Sequence, residues 1–330
     1  MYKILLSSII ILLFSACSSK QYYTPKSVSF SSSIYSSSPI ISFNRDGAVL
    51  ENGTVLTQNG KFKLSFKHGY SFINRSRDGI ILANRGGECK IIKNGKVQTI
   101  KFSKELLAGR VIDNMLIYLL MDNSFGIYDL SQKSIIFNDK GEKTYSIDAR
   151  ITNPIQIDKL VVIPLLNGKI TIMNLENRKI VKEIFVSTKT SLNNIIFLKR
   201  FKKDNLIVAT PHKLISVSTK GRKELEDEIS EVAVDNRNIF LFSKDGNIMR
   251  LDESLTVQDE KKFRFAHFSV ATVYKNRVYA LDEQGYLIVS NRNFTKYRVY
   301  KFPEVNGYSF VANGEIYYNR NRIELKDLSY

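Results

Sequence analysis

Nine Asp-Gly or Asn-Gly pairs, short apolar runs between them, and a unit returning about every 39 residues predict an all-β chain folded as a β-propeller of four-stranded antiparallel blades. The pairs are Asp46-Gly47, Asn52-Gly53, Asn59-Gly60, Asp78-Gly79, Asn94-Gly95, Asn167-Gly168, Asp245-Gly246, Asn306-Gly307 and Asn313-Gly314. Such pairs supply the positive φ that tight hairpin turns require, and strands joined so closely cannot be parallel neighbours. The runs between them are rich in Ile, Val, Tyr and Phe, which fit a pleated surface.

The unit is clearest when 113–130 is set beside 158–175, which align without a gap. Each has a polar pair, an apolar strand, a polar turn, an alternating strand and then Asp129-Leu130 or Asn174-Leu175. The first apolar strand residues of the successive copies are Ile40, Ile80, Met115, Leu160, Leu206, Ile239, Val278 and Ile316, with the first two copies the loosest. Radial closure of such sheets buries their faces and leaves only short edges. Eight copies predict eight blades; seven follows if the Ile40 segment only completes the last one. The last copy has little chain left, so it lacks an outer strand. The alternating stretch 28–35, where Val28 and Phe30 interleave with serines, can supply that strand and close the ring. Helical spacing occurs only at 104–108 and 223–232; the second, with Glu224, Glu226, Asp227 and Glu228, reads as a charged outer strand and loop.

Ahead of the repeats stands a different pattern. Lys3 precedes an apolar stretch, Ile4 to Phe14, broken only by Ser7 and Ser8, and Ser15-Ala16 leads into Cys17. This is a secretory signal, too short to span a bilayer as a permanent helix. Residues 18–39 contain ten serines together with Pro25 and Pro39, the composition of a flexible tether. The expected organisation is a signal peptide at 1–16, Cys17 with the Ser-rich tether to 39, and the propeller domain from 40 to 330.

The chain carries a net charge of +17, of which the signal holds a single Lys. An exported basic protein meets anionic lipid headgroups, envelope polymers or acidic protein faces rather than cytoplasmic nucleic acid. Only Cys89 remains beyond Cys17, so no intrachain disulfide between unmodified cysteines is expected; Cys89 lies among strand residues as a small apolar side chain. The three histidines, His68, His212 and His267, are scattered and have no Cys or carboxylate neighbours at metal-ligand spacing. Gly-rich phosphate loops and a Gly-x-Ser-x-Gly elbow are absent, and the recurring Asp122, Asp129, Asp245, Asp252 and Asp282 read as turn and strand-end residues. The expectation is a non-enzymatic protein with no cofactor and no metal.

Small residues followed directly by Cys17 resemble a bacterial lipoprotein signal, whose cysteine is acylated, although Phe14 stands where that pattern has Leu. Together with the tether and the repeat, they make the chain similar to the envelope propeller lipoproteins of the BamB type, in the quinoprotein-like class. Blades of that class often end in Gly plus Trp, and this chain has no Trp. The resemblance implies acylation at Cys17 and an eight-bladed scaffold acting within the outer-membrane insertase complex or another envelope complex. The partner would be held by loops, with the chain monomeric inside the hetero-complex. Ser18 would direct it to the periplasmic side of the outer membrane. The alternatives are a basic module binding an envelope polymer or anionic lipid and, less favoured, a quinoprotein-type enzyme, whose quinone-stacking Trp is missing.

Three basic clusters remain. Lys199, Arg200, Lys202 and Lys203 precede a strand start and are the candidate partner-binding loop; Lys220, Arg222 and Lys223 flank Gly221; Arg292, Lys296, Arg298 and Lys301 interleave with Phe294, Tyr297 and Tyr300 in an outer strand. Arg beside aromatic residues is the make-up of an interface anchor, while cations on outer strands also prevent edge pairing.

Overall fold

Hairpin after hairpin, the chain builds eight four-stranded antiparallel sheets, each ordered as its strands come in sequence except the last. The computed structural model describes residues 21–65, 69–189, 191–203 and 205–330. The signal, Cys17, Ser18 and His68 therefore lie outside the described residues. Blades 1 to 7 span 40–63, 70–101, 106–140, 155–185, 197–226, 229–262 and 268–301. Blade 8 takes three strands from 309–324 and its fourth, Ile34–Ser36, from the other end of the chain. That strand pairs Ile34 with Ile323 and Ser36 with Asn321, so the N-terminal closing strand is present and the blade count is eight.

The ring is held by its interiors. Eight hydrophobic clusters lie one at each junction between neighbouring blades, because each blade is apolar on both faces. This explains Tyr300 in the outer strand Tyr297–Lys301. Alternation puts Val299 and Tyr300 on opposite faces, yet both are buried, Val299 toward blade 6 and Tyr300 toward blade 8. The junctions are unequal. Blade 1, with strands of four residues, meets blade 2 through Val49, Val55, Phe72 and Leu82 alone among fully buried residues, while the blade 2–3 and 6–7 junctions bury many more.

The unit read from the sequence is the hairpin of second and third strands. Residues 80, 115, 160, 206, 239, 278 and 316 all lie at or beside the start of a second strand. Ile40 is out of phase: it begins the first strand of blade 1, whose second strand is Gly47–Leu50. The stretch 104–108 leads into an inner strand, Leu106–Ile112, and not a helix; its local spacing is overridden by burial between blades 2 and 3. The stretch 223–232 divides between the outer strand Gly221–Glu226 and the inner strand Ile229–Val234.

The missing Trp has a substitute. In blades 2, 6 and 7 a buried Phe directly follows the fourth strand, and its amide bonds the carbonyl of the glycine turning between strands two and three: Phe102 to Gly87, Phe263 to Gly246 and Phe302 to Gly285, at 2.8–2.9 Å. Gly246 (φ +84°) shows why glycine is needed there, since a Cβ would lie 2.1 Å from the Phe263 carbonyl oxygen.

The N-terminal segment is laid along the outside of the ring. Tyr23 is buried against Phe263 and Tyr286, with ring centroids 6.0 and 5.7 Å away and near-perpendicular planes. Ser29 pairs in parallel with the outer strand of blade 7, its amide 2.8 Å from the Val299 carbonyl. Val28 and Phe30 do not form the buried face that alternation predicts: Phe30 is 84% exposed, because the segment hydrogen-bonds at a strand edge instead of covering a sheet.

Candidate partner-binding face and central channel

Strands alternate in direction within each blade, so turns between strands two and three share one face of the disc with the connections between blades. Two of those connections are long: 141–154, joining blades 3 and 4, and 186–196, joining blades 4 and 5. Their shape is fixed by short polar side chains. Asn123, fully buried, donates from Nδ2 to the Glu142 carbonyl (2.7 Å) and accepts the Leu166 amide (2.9 Å). The two loops then grip one another. Asn194 accepts the Asp148 amide (2.6 Å) and donates back to the Asp148 carbonyl (3.1 Å), while the Ser146 hydroxyl accepts the Leu192 amide (3.2 Å) and lies 3.1 Å from the Ser191 hydroxyl. Asn193 donates to the Ser187 carbonyl (2.9 Å).

What this frame presents is apolar. Tyr145 is 86% exposed beside Lys143, and Met121 and Leu192 are exposed on the same face. Leu192 has φ of +47°, a left-handed conformation that costs a branched residue about 1 kcal/mol or more. The surrounding bonds hold it there with its side chain outward.

The inner end of the first loop crosses into the middle of the ring. Asn153 bridges three blades, donating to Asp46 Oδ2 (2.7 Å) in blade 1 and the Ile73 carbonyl (3.0 Å) in blade 2, and accepting the Gly109 amide (2.8 Å) of blade 3. Arg150 is chelated by Asp148, with Nε and Nη2 at 2.9 and 2.6 Å from the two carboxylate oxygens, and reaches across to the Ser230 carbonyl of blade 6. Those bonds pull the Asp148 carboxyl below its usual range although burial works the other way. Arg45, from blade 1, meets Glu231 Oε1 (2.5 Å) and the Val232 carbonyl (2.8 Å) and stacks over Phe197. Beside this lattice a channel of about 750 Å³ remains along blades 5 to 8, lined by Arg45, Arg150, Lys199, Glu231, Phe268 and Tyr308 among others.

Lys199 and Arg200 prove to be strand residues, in the inner strand Phe197–Phe201, and Lys202 and Lys203 form the turn after it, so the four are not one loop. Alternation separates them. Lys199 opens into the channel, where burial and Arg45 push its ammonium pKa down against the pull of Asp46. Arg200 bonds the Lys203 carbonyl (3.0 Å), and Lys202 pairs with Glu253 (2.6 Å). This turn lies on the disc face opposite the long connections. The exposed residues of those connections were missed in the sequence. The available signal was the widened spacing between the third, fourth and fifth copies.

The other expected features fall into place. Asp122, Asp129, Asp245, Asp252 and Asp282 each accept the amide of the residue two positions on, at 2.8–3.2 Å, which is turn chemistry. Cys89 is fully buried between blades 2 and 3, and burial pushes its thiol up to about 12. His212 lies against Glu228 (2.9 Å). Partial burial would raise the Glu228 carboxyl, but hydrogen bonds from His212, Lys189 and Lys244 hold it down at about 2. Among the described residues no three His, Cys, Asp or Glu side chains gather closely enough to hold a metal ion.

No family model matches the chain. It is 26% identical to the plasminogen-binding protein PgbB of Helicobacter pylori strain J99, over 96% of this chain and 68% of that protein. Among solved structures, BamB from Moraxella catarrhalis superposes with a TM-score of 0.64 at 12% identity, covering 90% of this chain and 98% of that one. The C-terminal WD40 domain of Sif2 superposes equally well, with a TM-score of 0.64 at 11% identity and the same coverage. The architecture is thus a BamB-like propeller.

Proposed function

We propose that this chain is a non-catalytic, acyl-anchored propeller on the periplasmic side of the outer membrane, which holds a protein partner during assembly of outer-membrane β-barrel proteins. The observation that carries the reading is the pair of interlocked connections, 141–154 and 186–196, presenting Tyr145 and Leu192 on a frame held by buried asparagines, with Met121 exposed on the same face from a turn of blade 3. Exposed aromatic and aliphatic side chains on a rigid support are what a protein interface needs at its centre, because little order is lost on binding. The BamB-like fold and the lipoprotein-like signal ending at Cys17 support the setting. The turn at Lys202 and Lys203 offers a second, cationic contact on the opposite face.

The test is mild cross-linking and capture from membranes with tagged wild type beside Cys17→Ala and Tyr145→Ala/Leu192→Ala. Recovery of the outer-membrane insertase by wild type, reduced in both variants, supports the reading. Its absence from the wild-type capture refutes the assembly role. The likeness to PgbB along nearly the whole chain favours a second reading, in which the bound protein is plasminogen. Saturable binding of the purified chain to immobilised plasminogen, lost in the Tyr145→Ala/Leu192→Ala variant, would replace the first reading with this one.

A further inference from the structure

The N-terminal segment fixes where on the ring an anchor at Cys17 would attach. Tyr23 is buried at the outer edge of blades 6 and 7, and Ser29 is bonded to the outer strand of blade 7. Five residues lie between Cys17 and Tyr23, so the covalent chain allows at most about 20 Å between them. A long free tether is therefore not what holds the disc.

The same rim has an unusual surface. Phe30 is 84% exposed, and Tyr22, Val28 and Tyr297 are exposed too. None of Lys26, Lys261, Lys296, Arg298 and Lys301 forms a salt bridge among the described residues. Lys261 lies over the Tyr297 ring at 5.3 Å; Lys301 lies over the Tyr286 ring at 4.3 Å and donates to the Gln284 carbonyl, so neither ammonium is placed by a carboxylate among the described residues. Asp259 is taken by Arg250 and Asp245 by Lys262. Exposed aromatic rings interleaved with Lys and Arg that no carboxylate neutralises, next to the proposed acylation site, match the interface of a bilayer: rings enter the headgroup layer and cations meet lipid phosphates.

We infer that the outer rim of blades 6 and 7, with the segment 21–30 laid on it, is a membrane-contact surface for anionic phospholipid. The inference rests on the acyl-anchor reading for its orientation but not for its binding chemistry. The disc then stands edge-on, its axis in the plane of the membrane, with both faces open. Blade 3 lies four places round the ring from blade 7, so the interlocked connections sit on the part of the open face farthest from the bilayer, where a partner can reach them.

The experiment reconstitutes the processed, membrane-extracted protein in phosphatidylethanolamine vesicles with and without phosphatidylglycerol. A single environment-sensitive label is placed through Phe30→Cys or Tyr145→Cys; Cys89 is fully buried and stays unlabelled. The expected result is that a lipid-borne quencher reaches the label at 30 but not at 145, and more strongly with phosphatidylglycerol. With an unacylated chain added from solution, Lys261→Gln/Lys296→Gln/Arg298→Gln should weaken vesicle binding roughly a hundredfold. Equal quenching at 30 and 145, or vesicle binding unchanged in the triple variant, overturns the inference. Acylation is read separately from the intact mass of the membrane-extracted chain. A chain without acyl groups would sink the anchor while the vesicle result still decides the rim.

Discussion

Asn153→Ala should be among the most damaging single changes to this fold, although it deletes only one amide from a loop. The side chain is 3% exposed and makes bonds to three different blades. Truncation leaves the Gly109 amide buried without an acceptor, which costs about 1–3 kcal/mol. It also removes the side-chain donor to Asp46, a bond to a charged group worth about 1.5–3 kcal/mol. The Ile73 carbonyl keeps Asn44 Nδ2 at 2.8 Å and is not orphaned. The sum is about 3–5 kcal/mol, a large share of the roughly 5–15 kcal/mol that a folded domain has. Urea unfolding followed by tyrosine fluorescence and by far-UV circular dichroism measures it, with the exposed Asn306→Ala as control within about 0.5 kcal/mol of wild type. Asn153→Asp separates the terms: it keeps the acceptor for Gly109 but sets a second carboxylate against Asp46, so it should be at least as destabilising as Ala at pH 7 and recover as pH falls. A loss below about 1 kcal/mol for Ala, or an Asp variant milder than Ala at neutral pH, would refute the bridging argument.

Replacing Ile34 by Asn should weaken the closing strand by about 1–2 kcal/mol and speed amide exchange across Asn321–Glu324 before other blades are affected, as hydrogen–deuterium exchange would report. Glu228 titrates at about 2 in the fold against an ordinary value of 4.5, so its contribution is complete above pH 4.5 and is lost as pH falls toward 2. The side chain is half exposed, which keeps the effect below about 1 kcal/mol, and Glu228→Gln should flatten the stability profile over that interval. In a Cys17→Ala background Cys89 should take no maleimide in the native protein at pH 8 and one per chain in urea; stoichiometric native labelling would contradict its burial. Gly126→Ala would place a Cβ 2.3 Å from the Phe137 carbonyl oxygen and 2.6 Å from Tyr118 Oη, and a midpoint shift of about 1–3 kcal/mol is expected.

The repeat was legible because second and third strands are buried on both faces and therefore carry continuous apolar runs, as in Met115–Leu120 and Leu160–Pro164. Inner strands were harder to read. They face a polar channel on one side, and bulges such as that between Phe72 and Asn74 break their alternation. Blade 1 misled by one strand because its four strands are short and nearly alike. The missing outer strand was deducible by counting, since fourteen residues after Ile316 cannot make a full complement. The proposed binding face was not legible. Tyr145 and Leu192 sit in segments without periodicity, and only the tertiary bonds of Asn123, Asn193 and Asn194 make them rigid. The Lys199–Lys203 group shows the converse error. Adjacent charges look like one patch in sequence, but a strand sends alternate side chains in opposite directions, and a turn then reverses the chain.

Ile34 and Ile323 sit opposite each other on adjacent strands although they are far apart in sequence. A chain delivered from its N-terminus must therefore wait, with that first strand unpaired, until residues 321–324 have arrived. Up to that moment seven blades form an open arc with two bare edges, at blade 1 and blade 7. Removal of 319–330 would take away the strand 321–324 that Ile34–Ser36 needs and leave an unclosed seam with bare strand edges, open to pairing with other chains.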